Sequence, residues 1–378
     1  MKLHENARVE RIEATRIGLV TRGPLADAAA RADAWLLATG GELPCDPDGY
    51  LGVLAIGARP AVDGVPLAFG LRQLGYLDDG DVVAVDPHGF VRTLYRRASA
   101  HNFLLVTEQC NSLCLMCSQP PKAIDDSDRL AEHLRLIDLI DPATAELGIT
   151  GGEPTLFRDG FLELIERCRD RLPSTALHVL TNGRLFFYRR FAAKLGAIAH
   201  PDLMLGIPLY SDVDALHDHV VQAPGAFEQT VAGLQHLDRY GVRVEIRVVL
   251  HALTIPRLTK LAEFLARNFP FAAQVALMGL EMFGLVHQHL SELWIDPADY
   301  QRELREATET LARAGMNVSI YNQQLCVLDE RLWPNARRSI SDWKNVYLPE
   351  CDGCSVLGDC GGFFQSGTKI RSARIAPR

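Results

Sequence analysis

Residues 102–117 read NFLLVTEQCNSLCLMC, an apolar run of strand character that breaks into a polar loop holding Cys110, Cys114 and Cys117. Read outward, the same pattern repeats. Apolar strands are expected at ELGIT (146–150), ALHVLT (176–181), DLMLGIPLY (202–210), VRVEIRVVL (242–250) and QVALMGL (274–280). Between them lie segments with i, i+3, i+4 apolar stripes, such as DRLAEHLRLIDLI (128–140), GFLELIERCRDRL (160–172) and AFEQTVAGLQHLDRY (226–240). Strands alternating with amphipathic helices predict a parallel sheet wrapped by helices. Six such units are too few for a closed eight-stranded barrel. The expected fold is therefore α/β, a partial (β/α)6 barrel over residues 99–285.

Two regions flank it. Residues 1–98 read as a small β-rich α+β domain, with a short helix in LADAAARADAWLLATGG (25–41) and strands divided by Gly, Asp and Pro turns. Residues 286–378 read as a helix with Asp296 as N-cap and Gly315 as stop, a strand NVSIY (317–321), and a cysteine-rich tail. In GFLELIERCRDRL the helical spacing makes Cys168 a core residue. The net charge of −8 argues against a nucleic-acid footprint, which needs clustered Lys and Arg. No apolar run approaches the ~18 residues that span a membrane, and the charged first residues lack the apolar core of a signal peptide. A cytoplasmic location is the expectation.

In a reducing compartment nine cysteines point to metal ligands or reactive thiols rather than disulfides. Three of them, spaced C-x3-C-x2-C, follow the first strand of the array, and ligands of such sheets gather at the carboxyl ends of strands. Three thiolates on one loop can hold three irons of a [4Fe–4S] cube and leave the fourth iron open. Zinc completed by a distant His is the alternative.

C-x3-C-x2-C after the first strand, followed by GITGGEPTL (148–156) after the second, resembles the radical SAM superfamily. The resemblance implies a radical SAM partial barrel in which the open iron chelates S-adenosylmethionine. An external electron donor then drives its cleavage to methionine and a 5′-deoxyadenosyl radical. It implies that Gly151, Gly152 and Glu153 contact the methionine ammonium, that Met116 lies near the adenine, and that Asn182 and Ser211 touch the cofactor. It also implies that Arg247 pairs with the methionine carboxylate. Each has a plainer reading: TNG (181–183) makes a good turn, Ser211 a helix cap and Arg247 a solvated strand charge.

The tail carries Cys326 and the C-x2-C-x5-C run of Cys351, Cys354 and Cys360. Four thiolates suit an auxiliary [4Fe–4S] cluster or structural zinc. NFLLVTEQCNSLCLMCSQPPK (102–122) together with SISDWKNVYLPECDGCSVLGDCGGFF (339–364) resembles the C-type member of the His-Xaa-Ser system radical SAM maturases. That resemblance implies a ribosomally made peptide substrate, with a second radical SAM protein and a small accessory protein as partners. A small-molecule substrate, with aminocarboxypropyl transfer among the reactions, and a non-enzymatic metal-binding scaffold are the competing readings.

Overall fold

The computed structural model describes residues 2–338 and 345–378. The stretch SISDWK (339–344), part of the narrower family resemblance, lies outside the described residues.

The N-terminal region holds β1 (His4–Asn6), β2 (Arg8–Glu10), β3 (Arg16–Thr21), α1 (Ala28–Ala32), β4 (Ala34–Thr39), β5 (Gly52–Ile56), β6 (Leu67–Leu71), β7 (Val82–Val85) and β8 (Phe90–Tyr95). Its eight strands run in the order β1-β8-β7-β3-β4-β5-β6-β2. The two outermost strands are one stretch of chain broken only at Ala7, pairing with β8 through residues 4–6 and with β6 through residues 8–10. The sheet therefore curls round and closes on itself, which removes the exposed edges that would otherwise template pairing. Closure brings Ala7 N to 2.7 Å from Gly89 O. A Cβ on Gly89 would lie 2.1 Å from Ala7 O, so the site tolerates only glycine. Trp35, Leu54 and Leu74, each 0% exposed, fill the interior.

Only Ala28–Ala32 of the helix expected within residues 25–41 is helical, because the run that follows becomes β4. The run AWLLAT is buried at every position but its last and pairs in parallel with β3 and β5. Burial on both faces overrode the helix preference of the Ala-rich approach.

The second sheet contains β9 (Asn102–Leu105), β10 (Glu146–Thr150), β11 (Ala176–Leu180), β12 (Leu203–Pro208), β13 (Arg243–Leu250), β14 (Gln274–Gly279) and β15 (Val318–Tyr321). All neighbours are parallel and follow sequence order, with β9 and β15 as the terminal strands; beyond β15 a single parallel bridge joins Ile320 to Ala336. This is a partial barrel, as expected, but with seven strands rather than six. The seventh is the NVSIY strand, which the pattern had left in the tail.

Helices α2 (Arg129–Leu139), α3 (Asp159–Arg171), α4 (Arg189–Ile198), α5 (Asp214–Val221), α6 (Ala226–Arg239), α7 (Leu258–Asn268), α8 (Leu290–Leu293) and α9 (Gln301–Arg313) complete the chain. The stripe Phe161, Leu164, Ile165 and Cys168 of α3 is at most 1% exposed against the sheet. At ~1.5–3 kcal/mol per buried large apolar side chain, such stripes hold the helices on. The two sheets meet through Arg92, which forks onto Glu132 of α2 at 2.8 and 2.5 Å, and through Tyr95 Oη, 2.8 Å from Thr144 Oγ1. Among the described residues no helix is long and apolar enough to cross a membrane.

Candidate functional site

Strand β9 delivers the cysteine loop to the carboxyl end of the sheet, and the turn after β10 grips it there. Gly152 N donates to Thr107 O and Glu153 N to Gln109 O, both at 2.8 Å. A Cβ on Gly151 would stand 2.5 Å from Thr107 O, and one on Gly152 would stand 2.0 Å from Gln109 O and 3.2 Å from Cys110 Cβ. Both glycines therefore serve close approach of the two loops. The far end of the loop is anchored by Leu113 N and Leu115 N on the carbonyls of Val221 and Val220, and by Leu285 N on Cys117 O at 2.9 Å. Asp126 is the inner anchor, accepting from Thr107 Oγ1, Glu108 N and Gln109 Nε2.

On this loop Cys110, Cys114 and Cys117 are partly buried free thiols. Burial pushes Cys110 up to about 11, aided by the charges of Glu153 and Cys117. Burial and the two neighbouring thiols push Cys114 up to about 12, and burial raises Cys117. The three sulfurs therefore stand within electrostatic reach of one another, and burial makes each resist ionising. A donor set of sulfur alone suits an iron–sulfur group, which would supply the missing positive charge. Among the described residues no three His, Cys, Asp or Glu side chains close around a single ion position.

Glu153 is 1% exposed, and its carboxylate is fully engaged within the protein. Oε1 accepts from Thr155 N (3.0 Å), Thr155 Oγ1 (2.5 Å) and Thr181 Oγ1 (2.6 Å), and Oε2 accepts from Asn182 N (2.6 Å). Burial nevertheless raises its pKa, outweighing those four bonds. Asn182 carries the connection onward, donating from Nδ2 to Asn111 Oδ1 of the cysteine loop at 2.6 Å.

The remaining expected residues separate. Met116 is 8% exposed and packs in an apolar group with Leu115, Tyr210 and Met282 at the sheet's carboxyl end. Ser211 is fully buried, and its Oγ accepts from Val213 N at 3.0 Å; it does not cap α5, whose N-cap position is Val213. Arg247 faces the barrel interior, where Nη1 donates to Glu245 Oε1 at 2.8 Å. Glu245 is 3% exposed and lies 3.6 Å from His178 Nε2, so Arg247 is already tied to a buried carboxylate.

Sequence reasoning passed over several residues. Asp126 sits in an acidic run that looks like a helix start. Asn111 and Tyr210 gave no signal. Tyr210, two residues past β12, stacks on His217 with ring centroids 5.8 Å apart, and burial raises its pKa. His251, one residue past β13, is 0% exposed, and neither ring nitrogen has a partner among the described residues. Burial alone drives its pKa down to about 3.

In the tail, Cys326, Cys351, Cys354 and Cys360 line one cavity whose other walls include Val356, Leu357 and Phe363. Burial raises the pKa of Cys326, and Cys360 and Cys351 add to the rise. The structure thus gathers all four tail cysteines, Cys326 included, apart from the first three.

Residues 104–265 match the family model of the radical SAM superfamily. A GTP 3′,8-cyclase from Edwardsiella ictaluri (strain 93-146) is 31% identical over 169 residues, 43% of this chain and 48% of that protein. The chain thus spans about half the length of that relative. Among solved structures, Streptococcus suis SuiB bound to S-adenosylmethionine matches 59% of this chain and 50% of its own at 16% identity, with a TM-score of 0.45. The anSMEcpe structure with bound AdoMet and Cp18Cys peptide matches 58% of this chain and 62% of its own at 18% identity and a TM-score of 0.44.

Proposed function

Because residues 104–265 match the radical SAM superfamily model, we propose that this chain is an enzyme that binds a [4Fe–4S] cluster and S-adenosylmethionine to modify a substrate by radical chemistry. One observation carries it: the three thiols of the C-x3-C-x2-C loop gather at the carboxyl end of the sheet, locked there by the GGE turn. When bound, cluster and cofactor supply an adenosyl radical that abstracts a hydrogen atom. The chain's own part is to present three sulfurs from Cys110, Cys114 and Cys117 and to keep the loop rigid through Asp126, Asn182 and the backbone of Gly152 and Glu153. It also walls the site with Met116, Tyr210 and Met282. Gly151, Gly152, Glu153, Asn182, Ser211 and Arg247 remain the proposed cofactor contacts. For Glu153 and Arg247 the internal bonds leave at most a shared role.

The substrate we propose is a ribosomally made peptide of the His-Xaa-Ser type, supported by the sequence resemblance and by four cysteines gathered in the tail. Those cysteines would hold an auxiliary iron–sulfur cluster, and a second radical SAM protein, an accessory protein and an electron donor would be partners. The partial likeness to a GTP 3′,8-cyclase favours a small-molecule substrate as the second reading.

Anaerobic reconstitution with iron and sulfide, reduction, and quantitation of 5′-deoxyadenosine test the cofactor reading. Wild type is expected to form it, and a variant with Cys110, Cys114 and Cys117 all changed to Ala is not. Equal formation by both refutes the reading. Mass spectrometry of a co-expressed His-Xaa-Ser peptide separates the two substrates: an unmodified mass beside active cleavage removes the peptide.

A further inference from the structure

Arg184 leaves the corner after β11 and reaches into the cysteine loop. Its Nε donates to Gln229 Oε1 of α6 at 2.7 Å, which sets the plane of the guanidinium. Its Nη1 then donates to Asn111 O at 2.5 Å and to Ser112 Oγ at 3.0 Å, between Cys110 and Cys114. The corner is stiff. Gly183 has φ +75°, and a Cβ on Gly233 of α6 would lie 2.5 Å from Gly183 O, so helix and turn are in direct contact. The hydrogen bonds from Arg184 end on neutral oxygens, and among the described residues no carboxylate pairs with it. Other arginines of this chain, among them Arg92, Arg167, Arg257 and Arg305, are neutralised by Asp or Glu. An uncompensated cation therefore sits against the loop, within electrostatic reach of Cys114.

We propose that Arg184 is a positioning residue of the three-cysteine site, which clamps the loop and favours the reduced state of the cluster held there. The inference rests on the radical SAM reading. Reduction adds one electron from an external one-electron reductant, so the cluster becomes more negative by one charge. A fixed positive charge nearby stabilises that state relative to the oxidised one. The planar group has a separate consequence: Nε is fixed on Gln229 while Nη1 holds Asn111 O and Ser112 Oγ between two ligands, three bonds from two nitrogens of one rigid guanidinium that a lysine cannot reproduce.

The experiment uses the full chain, reconstituted anaerobically with iron and sulfide, as wild type, Arg184→Lys, Arg184→Gln and Ser112→Ala. Reductive titration with titanium(III) citrate, followed by electron paramagnetic resonance, reads the potential, and iron release to a chelator reads the clamp. Arg184→Gln is expected to lose about tenfold in the reduction equilibrium, ~59 mV for one electron, and to release iron faster. Arg184→Lys is expected to keep the potential but release iron as fast as the Gln variant, and Ser112→Ala to release iron faster at an unchanged potential. A wild-type potential in Arg184→Gln overturns the charge role. Wild-type iron release in both Arg184→Lys and Ser112→Ala overturns the clamp, and neither variant depends on the Gln variant folding. A wild-type chain that takes up no iron overturns the cluster reading itself, and this one with it.

Discussion

Changing Glu153 to Ala should unfold the protein more easily even in the absence of any cofactor. The carboxylate is the acceptor for two backbone donors, Thr155 N and Asn182 N, and for two hydroxyls. The hydroxyls can rotate about their C–O bonds and aim their protons elsewhere. The two backbone donors cannot. Each buried donor left without an acceptor costs about 1–3 kcal/mol, or ~2–6 kcal/mol for the pair. Part of this is returned, because burial has already raised the carboxyl's pKa and removing it relieves that penalty. The net expectation is about 2–4 kcal/mol, a large share of a typical stability of ~5–15 kcal/mol. Urea unfolding of cluster-free protein, followed by far-ultraviolet circular dichroism, measures it. Glu153→Gln should lie between, since it keeps one acceptor oxygen and sets an NH2 against one backbone donor. An unchanged urea midpoint in Glu153→Ala, with only S-adenosylmethionine affinity reduced, would refute the reasoning and make Glu153 a pure ligand contact.

Three other outcomes follow from the same geometry. Because burial holds His251 near 3, below the ordinary 6.5 of the unfolded chain, its contribution is complete above pH 6.5 and is lost as pH falls from there towards 3. His251→Phe should flatten that acid-side loss, whose slope for one group is ~1.4 kcal/mol per pH unit, and a wild-type slope in the variant would contradict it. Gly152→Ala forces a Cβ to within 2.0 Å of Gln109 O, so it should displace the cysteine loop and cut iron uptake on reconstitution, measured by iron content against wild type. The variant with Cys110, Cys114 and Cys117 all changed to Ala should still bind iron and sulfide through the tail, and about one zinc without iron there would end the auxiliary-cluster proposal.

Periodicity made the parallel array legible, because strands that are apolar on both faces and helices with apolar stripes have distinct repeats. It failed where repeats are too short to tell apart. AWLLAT is six residues long and follows an Ala-rich segment, so helix and strand readings compete until burial by both neighbouring strands decides. The seventh strand was seen but not placed: 38 residues separate β14 from β15, and only the register Val275–Val318 reveals them as neighbours. Closure of the N-terminal sheet was equally hidden, since it depends on one bent stretch serving two distant strands.

The motifs at the site were legible, but their wiring was not. C-x3-C-x2-C and GGE announce residue types suited to a cluster and a charged ligand, yet the partners of Glu153 lie up to 29 positions away on the next strand end. What joins them is the register of a parallel sheet, which puts the ends of β9, β10 and β11 side by side. Each end then holds its neighbour: the turn after β10 binds the cysteine loop through two backbone bonds, and its carboxylate binds Asn182 after β11. Asn182 and Arg184 in turn reach back to Asn111. The circuit returns to the loop where it began, so moving any one member strains the other two. A loop held in this way has its conformation set by the sheet before any ligand arrives, and binding then costs little ordering entropy. This accounts for an acidic motif residue being buried rather than facing solvent: its carboxyl oxygens align the strand ends, and the three sulfurs inherit that alignment.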